Sequence, residues 1–317
     1  MGFNEKNLDL QNYFESKLDK NKQYLVAVSG GVDSIVLGFL MKKLGYSFLA
    51  ITVDHNLREN SKKDAEFTVN YLKTFGINCI LKAWHGEVKK NLEQEAREAR
   101  YLIFEEIATQ NNISEILTAH HLDDQIETFF MNLMRGSGLS GLCAMPKSKA
   151  LTNNIKLTRP LLEVPKSEII EYAIKNNLQW AEDETNSDEK FTRNKIRKII
   201  TGFEDFEEFK PRISMAIEHL QGVKTVVDDI IQKEMQNIVL SGIEGSFKKD
   251  WFLDLKSEIQ LGILREIVLH FSDKKPRFSS LKTWHDLILS GEIKRITISN
   301  LLVSVRKKEI IFLILKR

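Results

Sequence analysis

The sequence predicts an α/β protein: a doubly wound parallel sheet, then a helical linker and a small α+β domain. Three observations carry this. Short apolar runs alternate with longer helical patterns over residues 24–120, the βαβα order that builds a parallel sheet with helices on both faces. A glycine turn, Ser29-Gly-Gly-Val-Asp-Ser34, stands where the first strand passes into the first helix. Beyond about residue 213 the alternation stops and a long helical stripe takes over. The expected division is therefore residues 1–213 and 214–317, in keeping with roughly 150 residues per domain.

The expected strands are Tyr24–Ser29, Ser47–Val53, Asn78–Ala83 and Glu115–Ala119, with helices over Ser34–Lys43, Ser61–Phe75 and Leu92–Asn111 between them. Ligands of such sheets bind at the carboxyl ends of the strands. Polar residues collect there: Ser29–Ser34 after the first strand, Asp54-His55 after the second, His120-His121 after the fourth. In the second domain, Ile213–Gln236 reads as one helix, with Ile213, Ala216, Ile217, Leu220, Val223, Val227 and Ile231 on its stripe. Leu240–Lys249 reads as a Gly/Ser break, Trp251–Phe271 as a helix, and Arg295–Val305 with Glu309–Leu315 as a β-hairpin.

A hydrophobic content of 42% with 28% charged residues describes a soluble globular chain. The formal net charge of +2 is too small to imply nucleic-acid binding, so any such surface must be local. Cys79 and Cys143 are the only cysteines, which excludes a CxxC redox pair or a cysteine-rich zinc site and suggests a reducing compartment. Met1–Lys6 has no apolar signal region, Lys6 stands where a myristoylation signal needs Ser or Thr, and Ile310–Leu315 is too short to span a bilayer. A cytoplasmic location is expected.

Strand, glycine turn and helix start make a phosphate cradle, because backbone N–H groups and the helix dipole converge on an anion. Ser29, Gly30, Gly31, Val32, Asp33 and Ser34 form it. The glycines permit a sharp turn and close approach, and Ser29 and Ser34 are expected to donate to phosphate oxygens. Asp33, a carboxylate among phosphates, makes sense with Mg²⁺ between them. The loop lacks the lysine of a Walker A sequence.

His120, Asp123, Asp124 and Glu127 share one helical face, beside the apolar stripe Ile126, Phe129, Phe130, Leu133 and Met134. Crowded carboxylates repel unless cations sit among them, so Mg²⁺ or a cationic substrate is expected here. Arg135-Gly-Ser-Gly138 follows directly. Lys190–Lys198 concentrates Lys190, Arg193, Lys195, Arg197 and Lys198 after acidic Glu182–Glu189, and suits RNA phosphates. Trp180 and Phe191 are candidate stacking partners for an RNA base.

Ser29–Ser34 resembles the PP-loop, SGGxDS, of the ATP pyrophosphatases. A narrower resemblance runs in order along residues 23–200. Val53-Asp-His-Asn-Leu-Arg58, Glu95-Ala-Arg-Glu-Ala-Arg-Tyr101 and Thr118-Ala-His-His-Leu-Asp-Asp-Gln-Ile-Glu-Thr128 look like signature segments of the tRNA(Ile)-lysidine synthetases. So do Arg135-Gly-Ser-Gly-Leu-Ser-Gly-Leu142, Arg159-Pro-Leu-Leu162 and Phe191-Thr-Arg-Asn-Lys-Ile-Arg197. The resemblance implies an adenine-nucleotide α-hydrolase-like fold. It also implies that ATP and L-lysine convert the wobble cytidine of the CAU anticodon of tRNA(Ile) to lysidine: the C2 oxygen is adenylated, then the lysine ε-amine expels AMP.

On that basis Asp33 holds Mg²⁺, Arg100 neutralises the α-phosphate, and His120 contacts phosphate or shuttles a proton. Asp124 and Glu127 bind the lysine ammonium groups, with one carboxylate taking a proton or touching only the α-ammonium. Arg135, Arg193, Asn194 and Arg197 contact substrate. Residues 214–317 position tRNA, and a homodimer is compatible. A tRNA 2-thiolation enzyme is the nearest alternative, but it calls for paired cysteines; an amidating synthetase and a nucleotide sensor are further alternatives.

Overall fold

The computed structural model describes residues 9–54, 56, 61–84, 86, 92–181, 192–202, 205–272, 276–292, 295–298 and 301–314. His55, Glu182–Glu189, Lys190 and Phe191 lie outside them. The chain forms two compact units, Met1–Glu218 and His219–Arg317.

The first unit runs α1 (Leu10–Glu15), β1 (Gln23–Ala27), α2 (Val32–Lys43), β2 (Ser47–Asp54), α3 (Ser61–Thr74), β3 (Cys79–Ala83), α4 (Leu92–Gln110) and β4 (Glu115–Leu117). It continues with α5 (Leu122–Met134), α6 (Leu139–Leu142), β5 (Ser148–Ala150), β6 (Lys156–Thr158), α7 (Lys166–Lys175) and α8 (Thr192–Thr201), and reaches α9 (Phe206–Glu234). The sheet order is β3-β2-β1-β4-β6-β5, parallel except for the edge strand β5.

Period-two side-chain alternation makes β1 serve both faces. Tyr24 and Val26 enter one core with Ile35, Val36 and Leu40 of α2 and Ile169 and Ala173 of α7. Leu25, between them, enters the other with Ile51, Phe104, Ile107 and Ile116. A smaller cluster, Leu122, Ile126, Ile196 and Ile200, holds α8 against α5. The expected doubly wound parallel sheet is what forms.

The second unit has its own core, including Phe252, Ile263, Leu264, Trp284, Val303 and Phe312. It comprises β7 (Val239–Ser241), β8 (Glu244–Lys248), α10 (Lys249–Asp254), α11 (Ser257–Phe271), α12 (Phe278–Ser290), β9 (Arg295–Ile298), β10 (Leu301–Val305) and β11 (Glu309–Ile314). The strands form one antiparallel sheet, β7-β8-β11-β10-β9.

Four local expectations change. The break expected over Leu240–Lys249 is the β7–β8 hairpin, turning at Gly242 (φ 56°); Gly245 lies so close under Phe312 that a Cβ would come within 2.4 Å of its ring. The expected final hairpin has three strands, since β9 and β10 pair with each other. Trp251–Phe271 splits where Leu255 turns extended. The long helix starts at Phe206 and carries Pro211 inside it; the sequence reading began it after that proline, where a missing N–H ordinarily ends a helix.

Candidate active site

The glycine loop is built from β1, α2 and α3. Gly30 has φ +92°, and a Cβ there would come within 2.4 Å of Thr68 Oγ1 on α3, so glycine is required twice over. Gly31 differs: at φ −71° and ψ 159° any residue fits, and a Cβ would meet only Ser29 Oγ at 3.9 Å. The protein's own packing therefore does not require glycine at position 31. Gly31 caps α2 without a side-chain hydrogen bond, leaving the first helical N–H groups of α2, including that of buried Val32, uncapped by any side chain.

Ser34 does not play the part expected of it. It is 5% exposed, and its hydroxyl donates to the Gly31 carbonyl at 2.9 Å while accepting the Ser29 amide at 3.0 Å. It braces the loop from inside; exposed Ser29 remains as the hydroxyl on the outer side.

Lys166, from the start of α7, places Nζ 2.5 and 2.6 Å from the two Asp33 carboxylate oxygens. Its amide donates to Asp123 Oδ2 at 2.8 Å, locking the start of α7 to α5. Asp33 is thus paired with a lysine far away in sequence. His121, nearly buried, bridges loop and acidic face, with Nε2 3.7 Å from Asp33 Oδ2 and 3.5 Å from Asp124 Oδ2.

The cations that the structure shows on the acidic face are the protein's own side chains, not the Mg²⁺ or cationic substrate expected there. Glu127, buried, receives Arg193 Nε at 2.5 Å and Arg197 Nε at 2.6 Å. Asp124 accepts from Arg193 Nη2 and, at 3.0 Å, from the His121 amide. Asp123 pairs with buried Lys210 at 2.5 Å, which also meets Glu207 at 2.7 Å. Arg193 and Arg197, expected on RNA phosphates, are drawn onto these carboxylates. Burial pushes the Asp124 carboxyl up, but His121, Arg193 and His120 outweigh it and hold it below the usual range.

His120 Nδ1 lies 2.9 Å from Thr118 Oγ1. Burial pushes its pKa down to about 3, helped by Arg159, Arg97 and Arg193 and opposed by Asp124, so the imidazole is neutral near pH 7. Arg97 is the α4 arginine whose charge acts on His120, and Arg100, expected at the α-phosphate, is half-buried one helical turn on. Arg135 is exposed at the C-cap of α5, away from the Asp124–Glu127 end, and Asn194 is half-buried beside Arg193.

Lys166, Lys210, Arg97 and Arg159, which surround these groups, were not singled out in the sequence. Lys166 and Lys210 carry no motif of their own. Arg97 and Arg159 stood in recognised segments, where spacing alone could not rank them.

Residues 4–202 match the family model described as PP-loop domain. The chain is 38% identical over 301 residues to the tRNA(Ile)-lysidine synthase of Wolbachia pipientis wMel, covering 91% of this chain and 69% of that protein. It belongs to the tRNA(Ile)-lysidine synthase family. A second family member, from the Wolbachia of Brugia malayi, is 34% identical, with 86% of this chain and 67% of that protein covered. The chain spans about half, 54%, of the family member from Actinobacillus pleuropneumoniae serotype 3, at 33% identity over 72% of its own length. Among solved structures, the U34-tRNA thiolase of Methanococcus maripaludis shares the fold, with a TM-score of 0.57 at 19% identity over 66% of this chain and 77% of that one. The family is one of PP-loop ligases that act on tRNA. No described helix is long and apolar enough to cross a membrane.

Proposed function

We propose that this protein joins L-lysine to C2 of the wobble cytidine in the CAU anticodon of tRNA(Ile), consuming ATP and releasing AMP and pyrophosphate. One observation carries the reading: a phosphate loop with an acid, Asp33, linked through His121 to the carboxylate face of α5. That neighbourhood supports the reading, because lysine transfer to an adenylated base requires phosphate- and ammonium-binding groups side by side.

The residues fit Mg²⁺, which typically binds one or two carboxylates together with substrate phosphates. Asp33 would hold it, and it would neutralise phosphate charge there. Lys166, released from Asp33, is placed to contact the departing pyrophosphate. The uncapped N–H groups of α2 and the Ser29 hydroxyl bind phosphate oxygens, and Arg100 remains the candidate for the α-phosphate. With Asp124 holding the α-ammonium, the ε-amine is left to reach the base. Losing its proton costs about 4–5 kcal/mol at neutral pH from a pKa near 10.4; neutral His120 adds no repulsion to the approaching ammonium. Glu127, saturated by two arginines, shapes this surface more than it binds ligand.

RNA phosphate contact falls to the exposed Lys195 and Lys198 of α8, with Arg135, Asn194 and the second unit assisting. Action in the cytoplasm, as a monomer or homodimer, accords with this reading. Thiolation is disfavoured: there are only two cysteines and no CxxC pair, and burial pushes the Cys79 thiol up to about 12, so Cys79 offers no thiolate. The test is pyrophosphate release from ATP with unmodified tRNA(Ile) transcript. Release that depends on the CAU cytidine supports the reading; release indifferent to the tRNA overturns it.

A further inference from the structure

The second unit carries the chain's excess of positive charge. Residues 219–317 hold 17 lysines and arginines against 12 aspartates and glutamates, a net +5, which leaves the first unit of this +2 chain at −3. Such asymmetry between two halves favours a polyanionic partner for the basic one. Within the second unit, cations gather at one end of the antiparallel sheet. The β10–β11 turn is Arg306-Lys307-Lys308, all exposed. β11 pairs with β8 so that Glu309 faces Lys248, and β10 pairs with β9 so that Ser304 faces Arg295. Register therefore sets exposed Lys248 and Arg295 on either side of the three turn cations.

The fold does not require cations there. The Arg306 amide donates to the Glu309 carbonyl at 2.9 Å and closes the turn; the Lys249 amide donates to the Lys308 carbonyl at 3.0 Å and pins it to the start of α10. These are backbone bonds that most residues could make. Cations elsewhere in this unit are neutralised: Arg265 by Asp228 and Glu266, Lys224 by Asp228, Lys282 by Asp286. Lys249 is buried, and its Nζ is 3.6 Å from where a Gly291 Cβ would stand, so its ammonium lies at the carboxyl end of α12, where the helix dipole favours it. Lys248, Arg295, Arg306, Lys307 and Lys308 differ. Among the described residues, none of them has a carboxylate oxygen within 4.0 Å, that of Glu309 included. Like charges held this close repel until an anion joins them.

The surroundings say which anion. A membrane surface calls for apolar side chains beside the cations, yet Val305 and Ile310, which flank the turn, are buried. Unstacked bases call for exposed rings. The second unit has no tyrosine, and its one exposed Phe or Trp among the described residues, Phe278, starts α12 at the end away from Gly291. Phosphates along a nucleic-acid backbone need neither, only cations in fixed places. We propose that the β10–β11 turn, with Lys248 and Arg295, is a phosphate-contacting surface that holds the tRNA backbone without reading its sequence. This rests on the tRNA-modifying reading above and adds to it which face of the second unit meets the RNA. Because backbone bonds already pin the turn, little ordering is needed on binding.

The test measures binding against salt concentration for unmodified tRNA(Ile) transcript, for a transcript with another anticodon, and for vesicles containing anionic phospholipid. The proteins are wild type, Lys307→Gln, the triple variant Arg306→Gln with Lys307→Gln and Lys308→Gln, and Lys282→Gln, which removes an already paired cation. Lys307→Gln should lower the slope of log affinity against log salt by about one unit and the triple variant by about two to three. At about 0.15 M salt the triple variant should bind both transcripts roughly 10–100-fold more weakly. ATP binding and the thermal midpoint should stay at wild-type values, and Lys282→Gln should bind RNA as wild type does. An unchanged slope, a loss confined to one transcript, or an equal loss in Lys282→Gln overturns the surface. So does a triple variant that keeps both transcripts but loses a vesicle binding that wild type shows. Wild-type protein that binds neither transcript overturns the tRNA-modifying reading itself.

Discussion

Replacing Glu127 by glutamine removes one charge and no volume, and the structure says where the loss falls. The Glu127 side chain is 2% exposed, whereas its partners Arg193 and Arg197 are 29% and 39% exposed. Breaking a fully buried ion pair costs about 3–5 kcal/mol, and an exposed pair contributes below about 1 kcal/mol. This pair is dry at the carboxylate and wet at the guanidinium groups. Glutamine also keeps one acceptor but turns an N–H toward an arginine, so we expect a loss of about 2–3 kcal/mol. In a unit of this size each kcal/mol shifts the midpoint by about 2–4 °C, giving a fall of roughly 4–12 °C. The affected contact joins α8 to α5, so hydrogen exchange in Thr192–Thr201 should accelerate first. Thermal unfolding followed by circular dichroism, with the apparent lysine KM beside it, is the assay. An unchanged midpoint with a raised lysine KM would refute the structural role and return Glu127 to direct ammonium binding.

Asp33→Ala should abolish AMP transfer and leave tRNA affinity nearly intact; near-normal adenylation at saturating Mg²⁺ would remove Asp33 as the metal ligand. Gly30→Ala should destabilise the protein, because it strains φ +92° and drives into Thr68, while Gly31→Ala should unfold at the wild-type temperature yet bind ATP more weakly; calorimetry of both tests that contrast. His120 should make stability pH-dependent. Its folded pKa, about 3, lies below the ordinary 6.5, so its contribution is complete above 6.5 and is lost as pH falls toward 3; urea titrations of wild type and His120→Gln between those limits check the sign. Lys195→Ala with Lys198→Ala should flatten the salt dependence of tRNA binding by about one unit per lost contact; an unchanged slope would move the RNA surface elsewhere.

Much of the first unit was legible because its signals are local. Apolar runs such as Tyr24–Val28 are buried on both faces, as only central parallel strands are, and Gly30 sits where the backbone needs a positive φ. The crowded carboxylates of α5 pointed to Mg²⁺ or a cationic substrate, and the structure sets protein cations against them. Their source was hidden, because Arg193, Arg197 and Lys210 reach α5 only through the packing of Ile196, Ile200 and Ile213 against Leu122 and Ile126. Lys166 was hidden for the same reason: nothing near residue 166 announces that Asp33 lies beside it. Ser34 shows the opposite limit, since its place in the motif was plain but the direction of its hydroxyl was not. In the second unit, three- to five-residue strands around Gly242 and Gly245 carry too little alternation to stand out from a loop.

The central claim is that the phosphate loop and the α5 carboxylates serve one reaction, the transfer of lysine to an activated cytidine. The most direct measurement is mass spectrometry of nuclease fragments of tRNA(Ile) transcript after incubation with the protein, ATP, Mg²⁺ and isotopically labelled L-lysine. The account predicts that the anticodon fragment gains one lysine less one water, only at the wobble cytidine of CAU, with one AMP formed per modification. A fragment that exchanges oxygen for sulfur, or that stays unmodified while ATP is cleaved, would contradict it.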